Sequence, residues 1–215
     1  MKSNRKKIKE IYKVLEESFG DLGWWPAASR FEVILGAVLT QNTAWTNVEK
    51  AIGRLKRNKL MSPEKIAAIG EEKLSGLIRS AGYHRVKAGR LKAVSRFIMA
   101  ESGSSLSKLK KENTIELREK LLKVKGVGPE TADSILVYAL QKPVFVVDAY
   151  TRRIFSRHGL VQKNASYGDI QVMVHENFKE DHMFFNQFHA LLVETGKRYC
   201  KKKKGLCGEC PLKGM

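Results

Sequence analysis

The sequence contains no apolar run near the roughly 18 residues that a membrane-spanning helix needs. It has only three cysteines, all between positions 200 and 210, so the pattern of a secreted, disulfide-linked domain is missing. Before Lys142 no segment alternates apolar and polar residues over a convincing length. These absences argue against a membrane protein, a disulfide scaffold and a β-sheet fold.

Acidic residues are scarce relative to basic ones. The chain has 22 Asp and Glu against 40 Lys and Arg, a formal net charge of +18 and a pI near 9.9. Such an excess attracts polyanions and predicts a nucleic-acid partner, although a soluble protein with one positive face, or a ribosome-associated one, would show the same balance. The N-terminal stretch lacks the apolar segment of a signal peptide, so we expect a cytoplasmic protein, nucleoid-associated if the source is prokaryotic.

What is present is helical periodicity. Apolar residues recur at three- and four-residue spacing through most of the chain, whereas the apolar run at 144–147 is short and isolated. Ser29 is expected to cap a nearly all-apolar helix at 31–41, with Glu32 completing a capping box. The pattern predicts an all-α protein.

A glycine turn joins two helical segments at 121–134. Gly126 and Gly128 permit positive φ angles and close approach of the backbone to a ligand, and Pro129 suits the first turn of the next helix. The unpaired N–H groups at that helix start suit a phosphate. Most such turns are only connections, but with flanking apolar residues and a following Thr131 this one has the pattern of a helix-hairpin-helix DNA-binding motif.

Asp148 lies between the apolar run 144–147 and a predicted helix, which by itself indicates an N-cap carboxylate. Together with other segments it identifies a family. The chain resembles the endonuclease III group of the helix-hairpin-helix DNA glycosylase superfamily over essentially its whole length. The matching segments are 39–43, 81–83 with 87–88, the glycine hairpin, 147–149 with 152–153, and the C-terminal cysteines.

The resemblance implies a role for each matching residue. Asp148 would stabilise the cationic sugar that forms as the N-glycosidic bond breaks, and would help to activate the attacking water or amine. The target nucleotide would be flipped out of the duplex, with Gln41 filling the gap and Tyr83 near a second wedge position. The other predicted DNA contacts are Gly126, Gly128, Thr131 and Arg152.

The architecture implied by the resemblance is two helical domains flanking a DNA-binding cleft. Residues 22–142 would form the central domain with the hairpin at 121–134. Residues 1–21 and 143–215 would form the second domain, with Asp148 and the cysteine loop. We expect a monomer that binds double-stranded DNA carrying a damaged base.

The hairpin departs from the family pattern at one position. Bifunctional members carry a lysine there, which forms a Schiff base with the sugar and cleaves the strand. This chain has Glu130 at that position, and a carboxylate cannot form an imine. Read structurally, Glu130 is an exposed first-turn acid favoured by the helix dipole. Both interpretations predict a monofunctional glycosylase without strong AP-lyase activity.

Three segments narrow the resemblance: 24–26 (Trp-Trp-Pro), 41–43 followed by Trp45, and 130–133 (Glu-Thr-Ala-Asp). With these segments the chain looks most like the monofunctional 3-methyladenine glycosylases of the endonuclease III type. This likeness implies excision of an alkylated purine, a cationic base that aromatic rings select by stacking and cation–π attraction. Alternatives are a mismatch or oxidised-pyrimidine glycosylase, or a non-catalytic DNA-binding module. Core packing would equally explain one tryptophan of the adjacent pair, and a surface role would explain the lysine. The predicted base pocket consists of Trp24, Trp25, Trp45 and Lys197.

The C-terminal cysteines match a metal-binding pattern. Cys200, Cys207 and Cys210 have the spacing of the first three ligands of the family's [4Fe–4S] loop, which usually uses four thiolates. A zinc site or free thiols would also account for three cysteines. The four lysines at 201–204 favour a cluster loop that also presents positive charge to DNA.

Overall fold

The structure, a computed structural model, describes residues 2–215, with side chains from residue 5 onward. Within that range the chain is helical and forms no strand, which confirms the all-α class. A 3-10 turn at Arg79–Ala81 and a π turn at Ile135–Ala139 interrupt the α-helices. In chain order the α-helices are α1 (Lys2–Phe19), α2 (Arg30–Leu39), α3 (Trp45–Arg57), α4 (Pro63–Ala68), α5 (Glu71–Leu77), α6 (His84–Ser102), α7 (Leu106–Leu109), α8 (Thr114–Leu122), α9 (Pro129–Ser134), α10 (Ala149–Arg157), α11 (Tyr167–Asn177) and α12 (His182–Arg198).

The chain forms two compact units. The central unit is Ala27–Lys142, and the terminal unit combines the chain up to Pro26 with Pro143–Met215. Residues 22–26 thus group with the terminal unit, whereas the sequence prediction began the central domain at residue 22. Side chains of α12 hold this segment, since Gln187 Oε1 accepts from Leu22 N at 3.3 Å and Asn186 Nδ2 donates to Trp24 O at 2.6 Å.

The central unit is built around α2. Phe31 through Leu39 are all buried, and α2 contacts α3, α6, α9 and the π turn. The Ser29 side chain caps the helix by accepting from Glu32 N at 3.2 Å. The predicted capping box is wrong in its second half, because the Glu32 carboxylate accepts from Ala28 N at 3.2 Å and pairs with Lys56 at 2.7 Å.

The terminal unit packs α1, α10 and α11 around α12 through a cluster of aromatic rings. The buried run 144–147 leads through this core to Asp148 but forms no strand. Side chains of α11 bond its backbone instead: His175 Nε2 accepts from Phe145 N at 3.2 Å, and Gln171 Nε2 donates to Phe145 O at 2.8 Å. No helix in the part of the chain described is both long and apolar enough to cross a bilayer.

Candidate functional site

The glycine turn lies between α8 and α9 in the central unit. Gly126 has φ +85°, and a Cβ atom at this position would overlap the aliphatic part of the Arg90 side chain. Glycine is therefore required there by both conformation and space. Gly128 has φ −95° and open space around it, so the expected positive φ is found only at Gly126.

Gln41 is hydrogen-bonded to this turn. The helix α2 ends at Leu39, two residues earlier than predicted, so Gln41 lies in the loop 40–44. Its Nε2 donates to Thr131 Oγ1 at 2.8 Å and to Gly126 O at 3.2 Å, and its Oε1 accepts from Arg90. The predicted gap-filling residue and the predicted phosphate-binding turn are thus joined in one network, and Thr131 is buried within it.

Lys87 lies beneath the same loop. It is 1% exposed, and its Nζ donates to Leu39 O (2.8 Å), Thr43 Oγ1 (2.7 Å) and Ala81 O (2.7 Å). Burial and the neighbouring Arg90 lower the pKa of Lys87 to about 8. In the sequence, Lys87 stands out only as part of a segment that matches the family. Its burial could not be predicted, because the sequence does not show which of many lysines is buried.

Tyr83 immediately precedes α6 and is 72% exposed, with φ +44°. A left-handed conformation is unusual for a bulky residue, and strain of this kind clusters at functional sites. The exposed ring is available to a ligand, as a wedge position requires.

The two acids of the hairpin helix differ in environment. Glu130 is exposed in the first turn of α9. Asp133, one turn later, is fully buried and receives two hydrogen bonds from Arg118 at 2.7 and 3.0 Å. Asp133 therefore fixes α9 to α8, a structural role that the sequence pattern did not distinguish.

In the terminal unit Asp148 caps α10. Its Oδ1 accepts from Thr151 N at 2.7 Å, and its Oδ2 lies 3.7 Å from Nε2 of the buried His189. Burial alone would raise the pKa of Asp148, but attraction to His189 and the bond from Thr151 outweigh it and hold the pKa below its usual value. The carboxylate is therefore ionised at neutral pH.

Arg152, predicted to contact DNA, lies in the first turn of α10. Its guanidinium donates to Ala165 O within the terminal unit, and its side chain is half-buried. The neighbouring Arg153 bonds Cys200 O at 2.7 Å and stacks on the Tyr150 ring at 5.0 Å.

Three of the four predicted pocket residues come together. The rings of Trp24 and Trp25 are half-buried and meet edge to face at 5.6 Å, and Lys197 Nζ lies 5.4 Å from the Trp24 ring centre. Trp45 is the first residue of α3, in the central unit. Asn186 is not among the predicted pocket residues. Its Oδ1 and Nε1 of Trp24 are both buried and have no hydrogen-bond partner.

Cys200, Cys207 and Cys210 are free thiols that line one cavity of about 360 Å³. Arg157 donates to Cys200 Sγ at 3.1 Å, and burial together with the other two cysteines raises the pKa of Cys210. The donor chemistry suits a thiolate-bound metal. The described residues nevertheless contain no group of three or more Cys, His, Asp or Glu side chains arranged to hold a metal ion.

Comparison with known sequences identifies relatives. Residues 35–180 match the HhH-GPD superfamily of base excision DNA repair proteins. A predicted DNA repair glycosylase of Methanocaldococcus jannaschii is 47% identical over 99% of this chain and 97% of its own length. The endonuclease III of Thermotoga maritima is 32% identical over 85% of this chain and 80% of its own length.

Solved structures share the fold. The H. pylori 3-methyladenine DNA glycosylase bound to 1,N6-ethenoadenine superposes with a TM-score of 0.76 and 33% identity, covering 91% of this chain and 97% of that one. A trapped endonuclease III–DNA covalent intermediate superposes with a TM-score of 0.83 at 22% identity, covering 97% and 93%. At that identity the second likeness establishes the fold alone.

Proposed function

Because the chain belongs to the HhH-GPD superfamily of base excision DNA repair proteins, we propose that it is a monofunctional DNA glycosylase that removes an alkylated purine such as 3-methyladenine. The observation that carries the proposal is the ionised, largely buried carboxylate of Asp148 at the start of α10.

Asp148 supplies the charge that the reaction needs. As the bond between C1′ and the base breaks, its electron pair goes to the departing base and positive charge develops on the sugar. A fixed carboxylate stabilises that charge, and it accepts the proton of the water that adds to C1′. The N-cap bond from Thr151 holds Oδ1, whereas Oδ2 has His189 Nε2 at 3.7 Å, beyond hydrogen-bond distance, so we assign this role to Oδ2.

Glu130 argues for hydrolysis rather than strand cleavage. Strand cleavage of the Schiff-base type needs an amine at the sugar. The exposed first-turn position of α9 carries a carboxylate, so water is the nucleophile in our proposal.

The tryptophan pair supports a cationic base as substrate. The face of Trp24 already holds an ammonium group, since Lys197 Nζ lies 5.4 Å from the ring centre. An exposed lysine can exchange for a ligand cation on that face. An alkylated purine is both aromatic and cationic, and its positive charge weakens the bond to the sugar.

We further propose that Cys200, Cys207 and Cys210 are ligands of a [4Fe–4S] cluster. Their shared cavity and the four lysines at 201–204 support a cluster loop that faces a polyanion. No step of base release passes through the cluster in this proposal. Iron and sulfide analysis of anaerobically purified protein tests it, and zinc alone or bare thiols would refute it.

Base release is the decisive experiment. Duplexes carrying 3-methyladenine, 7-methylguanine, uracil, thymine glycol or a T:G mismatch are incubated with the protein, and the released bases are separated. We expect release of the methylated purines and no borohydride-trapped adduct. Release of only uracil, thymine or thymine glycol would favour the mismatch or oxidised-pyrimidine alternative.

The Asp148→Asn variant is the matched control, because Asn retains the N-cap function while removing the charge. We expect base release to fall by about 1,000-fold, the upper end of the range for a lost electrostatic group. Binding to a duplex with an abasic analogue should remain. Base release at the wild-type rate would remove Asp148 from the chemistry.

A further inference from the structure

The loop 40–44 and the turn 81–83 share an unusual property. Each contains a non-glycine residue in the left-handed region, Asn42 at φ +54° and Tyr83 at φ +44°. Asparagine tolerates this conformation better than other residues, whereas for the bulky Tyr83 it is unfavourable and persists only where the surrounding structure holds it. Asn42 directly follows Gln41, the predicted gap-filling residue, and Tyr83 lies at the predicted second wedge position.

One buried ammonium group joins the two turns. Lys87 Nζ donates to Leu39 O and Thr43 Oγ1 on either side of the loop 40–44, and to Ala81 O at the start of the other turn. Thr43 Oγ1 in turn donates to Ala81 O. An ammonium has three donors and no acceptor, so these three partners use its whole capacity. At 1% exposure the group has no surface for DNA.

We propose that Lys87 is a positioning residue that fixes the turns carrying Gln41 and Tyr83, so that extrusion of the damaged nucleotide depends on a side chain that never touches it. The inference rests on the proposed glycosylase function and extends it to the step before bond cleavage. Arg90, one helical turn further along α6, bonds the Gln41 side chain, so the same face of α6 fixes both the backbone and the side chain of that wedge.

The chain offers a matched control in Lys92. This lysine lies on the same helix, is 8% exposed, and also donates to backbone carbonyls, at Ala67 O (2.8 Å) and Ile69 O. Its partners lie at the end of α4, and neither belongs to the loop 40–44 or to the turn 81–83. Replacing either lysine by Met removes a buried ammonium from α6, but only Lys87→Met breaks the bonds to the loop 40–44 and the turn 81–83.

The test compares Lys87→Met and Lys92→Met in the full chain. A duplex with 2-aminopurine beside an abasic analogue reports unstacking, and base release is measured in single turnovers at a temperature where both variants are folded. We expect Lys87→Met to lose most of the fluorescence rise and at least ten-fold in release rate, with affinity for undamaged duplex within two-fold of wild type. Lys92→Met should stay within two-fold in every assay.

A pre-opened substrate separates positioning from general damage. If the target base lies opposite an abasic site, no base pair has to be broken, and the defect of Lys87→Met should shrink at least five-fold. Equal behaviour of the two Met variants, or an undiminished defect on the open substrate, would overturn the proposal. If Lys87→Met fails to fold, Thr43→Val replaces it, because this change removes one partner of the ammonium. It should lower the fluorescence rise and the release rate in the same way, but by a smaller factor.

The outcome is separable from that of the proposed function. If the wild-type protein releases no base from any duplex, the glycosylase proposal fails, whereas the 2-aminopurine signal still compares the two variants. If the wild type is active and the variants are alike, only the role of Lys87 fails.

Discussion

The central and terminal units hold their candidate functional groups in opposite ways. In the central unit Gln41, Thr131 and Arg90 bond one another, and Lys87 uses all three donors. In the terminal unit the buried Oδ1 of Asn186 and Nε1 of Trp24 have no partner. A closed network favours a rigid shape, whereas unfilled bonding capacity beside aromatic rings favours a ligand. In our proposal, the central unit therefore shapes the DNA and the terminal unit binds the base.

Gln41→Ala breaks the closed network most directly. It removes both donors to the hairpin and the acceptor for Arg90, as well as the predicted wedge itself. We expect base release to fall by about 100-fold, or about 2.7 kcal/mol. Single-turnover kinetics measure this, and a change of less than three-fold would mean that the network is dispensable.

Gly126→Ala tests the rigidity of the same region. The added methyl group meets a left-handed φ and the Arg90 side chain, whereas Gly128→Ala meets neither. We expect a loss of about 2 kcal/mol in the free energy of unfolding for the first change and a much smaller effect for the second. Urea denaturation compares the two, and equal losses would contradict the assigned role of Arg90 packing.

Trp24→Leu tests the tryptophan pair of the terminal unit. It keeps an apolar side chain but removes the ring face beside Lys197. Release of cationic 3-methyladenine should slow by about ten-fold relative to a neutral substrate such as hypoxanthine, in line with a cation–π contribution of about 1–2 kcal/mol. Competition between the two substrates measures the ratio, and an unchanged ratio would exclude ring-based selection.

Asp148→Ala should cause the smallest change, a loss in the free energy of unfolding that depends on pH. The folded-state pKa of Asp148 lies below its ordinary value of 3.8, so its stabilising contribution is complete above that value and is lost as the pH falls through the folded pKa. The loss of the N-cap should cost about 1 kcal/mol at pH 7. Urea denaturation at pH 7 and in acid measures the free energy of unfolding of wild type and variant. The difference between the two proteins should be smaller in acid, and a constant difference would contradict the depressed pKa.

Much of the fold was predictable because it depends on local periodicity. The all-α class, the Ser29 cap and the glycine hairpin follow from patterns within a few residues of one another. The cap at Asp148 has the same local origin. The sequence pattern extends α2 two residues too far, because Lys87, 48 positions from Leu39 in sequence, bonds the loop 40–44 that follows the helix.

The candidate site was less predictable because its contacts join distant segments. Gln41 bonds Thr131 across 90 residues, and His189 approaches Asp148 from another helix. The hairpin pattern includes Thr131 but does not show that it bonds Gln41, and a histidine on an apolar face such as His189 carries no local signal. The likewise unpredicted contact of Asn186 with Trp24 moves residues 22–26 out of the predicted central domain.

The segment 144–147 has a consequence for solubility. Four consecutive apolar, mostly β-branched residues are a composition that favours intermolecular strand pairing when exposed. Here α11 bonds Phe145 N, Phe145 O and Val147 N through its side chains, and the segment is buried. A segment whose backbone groups are bonded in this way offers no edge for another copy to join. The helix that holds the segment leading to Asp148 thereby also covers backbone groups on which another copy would pair.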